Sequence, residues 1–205
     1  MTGSSVLPAT IHNGKIYFLF GKECALEDSA KGFSDFGGGV ESGETIYSTA
    51  MREGVEEMTG FLGSIPPYIK KGGNGTYHIS HNDRYHVHIF FIPYDPKLPV
   101  YYNHNHQFLW EKLDQKYLKK TKCFEKIEIQ WFSLEEMQLR KKEFRNFYQE
   151  IVDTLLRESK DIGTFLKKSK TNYLKFEKSK TNKKLSTTRS NQRRKKRNQT
   201  YRKHK

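Results

Sequence analysis

The sequence predicts an α+β sandwich, and three observations predict it. Two runs of largely apolar residues flank Asn13-Gly14, a strong signal for a two-residue hairpin. A helix is predicted from Thr45, its N-cap, to about Met58, with Ile46, Ala50, Met51, Val55 and Met58 on its apolar side. A strand over Lys126 to Phe132 runs directly into the capping box Ser133-x-x-Glu136, which starts another helix. Strands, helix, strands and helix in that order make two layers around one core.

The elements follow along the chain. Ser5 to Gly21 reads as two strands around the Asn13-Gly14 turn, and Glu23 to Gly32 as a polar loop. Phe33-Ser34-Asp35-Phe36 leads into the triplet Gly37-Gly38-Gly39, and Thr59-Gly60 ends the first helix. Pro66-Pro67 opens a new segment. Gly72-Gly73-Asn74-Gly75 reads as a turn between strands, with a phosphate-touching loop as the rarer alternative. Tyr77 to Ser80 and Arg84 to Pro93 pair around His81-Asn82-Asp83, and the three prolines from Pro93 to Pro99 predict irregular chain. Phe144, Phe147, Ile151 and Leu155 mark an amphipathic helix reaching about Glu158.

The chemistry concentrates between Gly37 and Phe61. Glu53, Glu56 and Glu57 stand at i, i+3 and i+4, which gathers three carboxylates within roughly a 100° arc of one helix. Carboxylates so close repel one another unless a cation neutralises them. Hard oxygen donors on a rigid helix suit Mg²⁺ or Mn²⁺ better than zinc. A solvated helix face would also read E-x-x-E-E, but it needs no glycine triplet at its entrance. Glycines there let backbone approach a ligand closely, so metal, glycine loop and helix together read as a site for a phosphate-bearing substrate.

Gly38, five residues, Glu44, seven residues, then Arg52-Glu53-x-x-Glu56-Glu57 resembles the signature of the Nudix hydrolases. Two positions depart from it. Gly54 stands where an aliphatic residue is usual, and Met58-Thr59 puts one extra residue before Gly60-Phe61. The resemblance implies a Nudix-type α/β/α sandwich with a mixed sheet over residues 4–160. It also implies metal-dependent hydrolysis of a diphosphate linkage in a nucleoside diphosphate joined to another moiety. Glu53, Glu56 and Glu57 would hold the metal, with a backbone carbonyl of Gly37 or Gly38. Arg52 would orient Glu44 or Glu53 through a bidentate ion pair. The general base would be a box glutamate or a later acid, among Asp83, Glu111, Asp114, Glu125 and Glu128.

Charge divides the chain in two. From Lys167 onward there are 17 lysines and arginines against one acid, Glu177, so this segment carries +16, the preceding residues carry −2, and the whole chain has a formal charge of +14. Residues 167–205 are expected to be a basic, low-complexity, disordered tail. Its Arg193-Arg194-Lys195-Lys196-Arg197 run has three readings: binding to RNA phosphates, a nuclear address, or a solubilising extension. RNA binding would favour a 5′-capped RNA as substrate. The alternatives are a small-molecule nucleotide pyrophosphohydrolase with a nuclear-targeting tail and a non-catalytic RNA-binding protein on the same scaffold.

Cys24 and Cys123 lack metal-ligand spacing and imply a reducing compartment. No signal peptide or membrane span is expected, so the chain reads as soluble, in nucleus or cytoplasm. His78, His81, His86 and His88, with His104 and His106, would hold zinc if H-x-H pairs lay on strands. The blander readings are a polar strand face or a ring touching substrate. Tyr94, Tyr101, Tyr102, Phe108, Trp110 and Tyr117 offer rings for base stacking, although most such residues are core or loop anchors.

Overall fold

The computed structural model describes residues 2–24, 31–114, 116–117 and 125–202, with side chains as far as residue 181. Strands β1 (Gly3–His12) and β2 (Lys15–Glu23) form the expected hairpin. Asn13 and Gly14 both take positive φ, the geometry that matches the twist of antiparallel strands. Beyond Phe18 the two strands part, and the next segment fills the gap. β3 (Phe33–Ser34) pairs with β2, while β4 (Phe36–Gly39) pairs with β1 across Gly3 to Val6. The glycine triplet is therefore a strand held on β1.

β5 (Tyr77–His81) and β6 (Tyr85–Phe91) form a second hairpin, whose turn residues Asn82 and Asp83 again have positive φ. β6 lies parallel to β1 over Gly3 to Ala9, and β7 (Lys126–Ser133) lies antiparallel to β2. The sheet is mixed, as expected, with β1 at its centre.

Alternation along the strands splits the core. Leu7, Ala9, Phe18, Phe20, Val87, Ile89 and Phe91 face one side. Val6, Leu19, Phe36, Phe90, Ile129 and Trp131 face the other. The second face is covered by α1 (Ile46–Glu57) and α3 (Lys97–Lys112), through Ala50 and Tyr102. The first is covered by α5 (Tyr148–Arg157) and α6 (Ser159–Arg202), through Ile151, Leu155, Ile162 and Leu166. α4 (Leu134–Leu139) starts at the predicted capping box of Ser133 and Glu136.

Three expectations are corrected. The segment opened by Pro66-Pro67 is a helix, α2 (Pro66–Gly72), and the glycine-rich turn follows it. The stretch from Pro93 to Pro99 is irregular only to Pro96, after which α3 begins with Pro99 in its first turn. There a proline's missing N–H costs nothing. Residues 167–181, expected to be disordered tail, belong to α6 and pack on the domain. Ser169 is buried and accepts from Asn74 (3.2 Å), Lys170 Nζ donates to the Ile11 carbonyl (2.8 Å), and Asn172 donates to the Gly72 carbonyl (2.9 Å). Tyr173 meets Phe91 edge-on, and Lys71 pairs with Glu177 at 2.9 Å. Arg193 to Arg197 lie where only the backbone of α6 is described.

A chain ending at Lys168 loses all of these contacts, so its melting temperature should fall by at least about 5 °C, as a loss of 2 kcal/mol or more implies. A chain ending at Thr181 retains them and serves as the control. Equal melting of both by calorimetry would show that the packed part of α6 contributes nothing.

Candidate active site

Glu44 sets the entrance of α1. Thr45 caps the helix, accepting from the Ser48 N–H (3.0 Å) while the Ser48 hydroxyl accepts from the Thr45 N–H (2.8 Å). Glu44, just before the cap, turns back over the first two turns. It accepts from Arg52 Nε (2.7 Å), Arg52 Nη2 (3.0 Å) and the Thr49 hydroxyl (2.7 Å). Those bonds, Arg52's foremost, lower its carboxyl to about 2, and it stays ionised. The bidentate pair fixes the guanidinium.

Arg52 spends its remaining nitrogen on the row of acids. Nη1 donates to Glu53 (2.9 Å) and to Glu56 (3.1 Å), so one cationic atom bridges both carboxylates. Glu53 is half-buried against β4, where a Cβ on Gly38 would lie 2.5 Å from its carboxylate oxygen. Burial raises its pKa, and Arg52 opposes the rise. Glu56 is 60% exposed.

Glu57 turns the other way, into the protein. Its Oε2 accepts the Gly37 N–H (2.7 Å) and lies 3.3 Å from Lys126 Nζ. Lys126 is 1% exposed, and its ammonium also contacts Glu23 and the Ser34 hydroxyl (3.0 Å). Arg145 reaches Glu23 at 2.8 Å. Burial would discharge Lys126, but Glu57 and Glu23 outweigh it and hold the ammonium charged. Burial likewise pushes the Glu57 carboxyl up, against the pull of Lys126. Two acids, Glu57 and Glu23, and two bases, Lys126 and Arg145, thus meet in one cluster around the buried ammonium.

Sequence reasoning missed this cluster. Alternation puts Lys126 on the solvent side with Glu128 and Gln130. The register shifts by one residue where Glu23 meets Lys126, and that bulge turns the lysine inward. Its stem crosses Gly21, where any Cβ would lie 2.8 Å from two of its carbons. The glycine its stem crosses, Gly21, two residues before its register partner Glu23, was the one signal in the sequence.

Among the described residues, no three His, Cys, Asp or Glu side chains are arranged to hold a metal. The chain neutralises its own acids, with Arg52 taking Glu53 and Glu56 while Lys126 takes Glu57. For a divalent ion the donor chemistry fits at Glu53 and Glu56. They share one cationic nitrogen, Arg52 Nη1, and Glu53 lies against the Gly38 backbone.

Of the acids named as possible bases, Glu125 is near enough to Glu57 to raise its carboxyl. The others stand on local partners: Asp83 on Ser80, Glu111 on Gln107, Asp114 on the Lys116 N–H and Glu128 on Lys22.

His104 and His106 lie on α3 rather than on a strand, which removes the second H-x-H pair. His106 stacks between Tyr102 and Trp110. His78, His86 and His88 form a stack beside α1, with His78 Nε2 3.2 Å from His86 Nδ1 and Tyr47 edge-on to His88. Parallel rings do not converge on one ion. Of the aromatics, Tyr102 is core, Tyr94 stacks on His12 at 4.2 Å, and Tyr101, Phe108 and Tyr117 are exposed. Cys24 is buried, and Cys123 lies outside the described residues. No helix among the described residues is long and apolar enough to cross a membrane.

Burial lowers the His88 pKa to about 4. An unfolded His88 takes up a proton near pH 6.5, so between pH 6.5 and 4 the unfolded state binds more protons and stability falls as pH falls. His88→Gln should flatten that part of the stability profile measured by urea unfolding. An unchanged slope would show that His88 titrates normally in the fold.

A family model described as "NUDIX domain" matches residues 9–155. Among solved structures, a binary complex of a C. elegans Ap4A hydrolase is 17% identical with a TM-score of 0.44, covering 78% of this chain and 97% of that one. A NUDIX hydrolase from Nitrosomonas europaea is 18% identical with a TM-score of 0.38, covering 78% and 90%. A mutT/nudix family protein from Listeria innocua is 12% identical with a TM-score of 0.43, covering 78% and 94%. No curated protein matches the chain.

Proposed function

The chain belongs to the NUDIX domain family, and on that premise we propose that it hydrolyses a diphosphate linkage in a nucleoside diphosphate derivative, using Mg²⁺ or Mn²⁺. The observation that carries this reading is the Glu44–Arg52 clamp, which keeps Glu53 and Glu56 together beside the Gly38 backbone. Those two carboxylates, with a backbone carbonyl of Gly37 or Gly38, would hold the ion. A bound divalent cation offsets the charge that grows on the phosphoryl oxygens and lowers the pKa of a coordinated water.

The chain's own contribution is positioning. Arg52 is fixed by two bonds to Glu44, so it sets where both acids stand before substrate arrives. β4 presents glycine backbone at the same place, and the missing side chains let Ser5 and Glu53 pack where any Cβ would clash. Most of the acceleration in such transfers comes from charges placed in advance.

Within this class, the basic segment from Lys167 favours a 5′-capped RNA. Its 17 basic residues against one acid would draw a long polyanion to the domain. A small nucleotide, with few phosphates, gains less from a polycation than a long RNA does. Nuclear targeting by Arg193 to Arg197 is compatible with either substrate.

Turnover of a panel with Mg²⁺ tests the reading: capped RNA, dinucleoside polyphosphates, ADP-ribose, oxidised nucleotides and diphosphoinositols. Hydrolysis of at least one, abolished by EDTA, is expected, and inertness toward all would favour a binding protein on this scaffold. Glu56→Gln removes one exposed carboxylate at constant volume. It should lower kcat/KM by about 100-fold or more, while leaving melting within about 2 °C, as a surface change does. Comparable turnover by the variant at saturating Mg²⁺ would contradict the site.

A further inference from the structure

Lys126 has no part in the sequence pattern that marks the site, yet the fold is arranged around it. Gly21 leaves space for its stem. A bulge in β7 turns it inward. The Tyr102 hydroxyl donates to its backbone carbonyl (3.0 Å), and Glu23, Ser34 and Glu57 surround its ammonium. Asn103, also on α3, holds β7 by bonding both ways to Ile129 (2.9 and 3.2 Å). A lysine with this much built around it is not a stray surface cation folded inward.

The ammonium stands where a cation is required. Glu57 is 6% exposed, and its Oε2 already accepts both the Gly37 N–H and the Lys126 contact. A divalent ion on the same carboxylate would bring two positive centres close together where water is scarce, and the repulsion is largest there. Lys126 has nowhere to retreat, because its side chain is 1% exposed. Glu53 and Glu56 also contact a cation, Arg52 Nη1, but that guanidinium is 27% exposed and water reaches it. Their shared partner is one nitrogen of an arginine anchored elsewhere, and Glu56 opens to solvent.

We infer that Lys126 is a built-in counter-cation that withdraws Glu57 from the metal set. Glu57 then acts as a positioning residue, tying α1 to β4 through the Gly37 N–H, while the divalent ion rests on Glu53 and Glu56. The inference deepens the proposed hydrolysis and rests on it for the presence of an ion.

The test is Mn²⁺ binding by the full chain, read from the electron paramagnetic resonance of free Mn²⁺, with circular dichroism to confirm folding. Glu56→Gln should weaken the Mn²⁺ Kd by about tenfold or more, whereas Glu57→Gln, which removes no ligand and leaves only the Lys126 ammonium unbalanced, should weaken it clearly less. Lys126→Met frees Glu57 at similar volume, and should tighten Mn²⁺ binding or add a second equivalent. A purely structural lysine would do neither. If Lys126→Met does not fold, the two glutamate variants decide alone. Equal loss of Mn²⁺ affinity in Glu56→Gln and Glu57→Gln would overturn the inference. Because these arms read binding rather than turnover, their pattern can fail while hydrolysis stands, and can hold while the substrate panel fails.

Discussion

The architecture of the site depends on how closely α1 lies against β1. At Gly54 the helix backbone comes so near the sheet that a Cβ would sit 2.3 Å from a methyl of Val6 and 2.8 Å from the δ-methyl of Ile65. No real side chain fits there. Glycine in a helix interior costs about 1 kcal/mol relative to alanine, so its presence has to be offset by what the approach permits. The approach permits Glu57 to reach the N–H of Gly37, and it sets Glu53 against Gly38. A helix standing further off would leave its carboxylates in water.

Burying those acids creates an electrostatic demand, and the chain meets it on two sides. Facing solvent, Arg52 is fixed by Glu44 and bridges Glu53 and Glu56 with one nitrogen. Facing the core, Lys126 and Arg145 balance Glu57 and Glu23. Removing one partner from such a buried set typically costs about 3–5 kcal/mol, because it strands a charge. The inner cluster therefore reads as a fixed part of the fold. The outer one, being part-exposed and held by an arginine with a second anchor, is where a ligand ion can exchange.

Local signals carried most of what the sequence disclosed. Asn13-Gly14, Thr45 and Ser133-x-x-Glu136 each specify their structure within a few residues, and each forms as read. Arg52 was read as pairing with Glu44 or Glu53, and it contacts both, since all three lie on one helix and its entrance. Non-local features were not. Lys126 reads as solvent-facing until a bulge shifts the register. The prolines around α3 read as a break, yet they occupy a helix start, where a missing N–H is harmless. α6 hides its apolar stripe, Ile162, Phe165, Leu166 and Tyr173, among lysines and serines, so average composition says tail while spacing says packed helix. The metal inference from three adjacent carboxylates left out the chain's own cations, which no spacing on α1 reveals.

The closeness of α1 to the sheet is tested most directly by the melting temperature of Gly54→Ala. In an open helix position this change stabilises by about 1 kcal/mol and raises melting by about 2–4 °C. Against Val6 and Ile65, the added methyl overpacks and should cost about 1–3 kcal/mol net, lowering melting by at least about 2 °C. A rise in melting temperature would contradict the account, because it would mean that α1 stands clear of β1 and that the glycine serves no packing purpose.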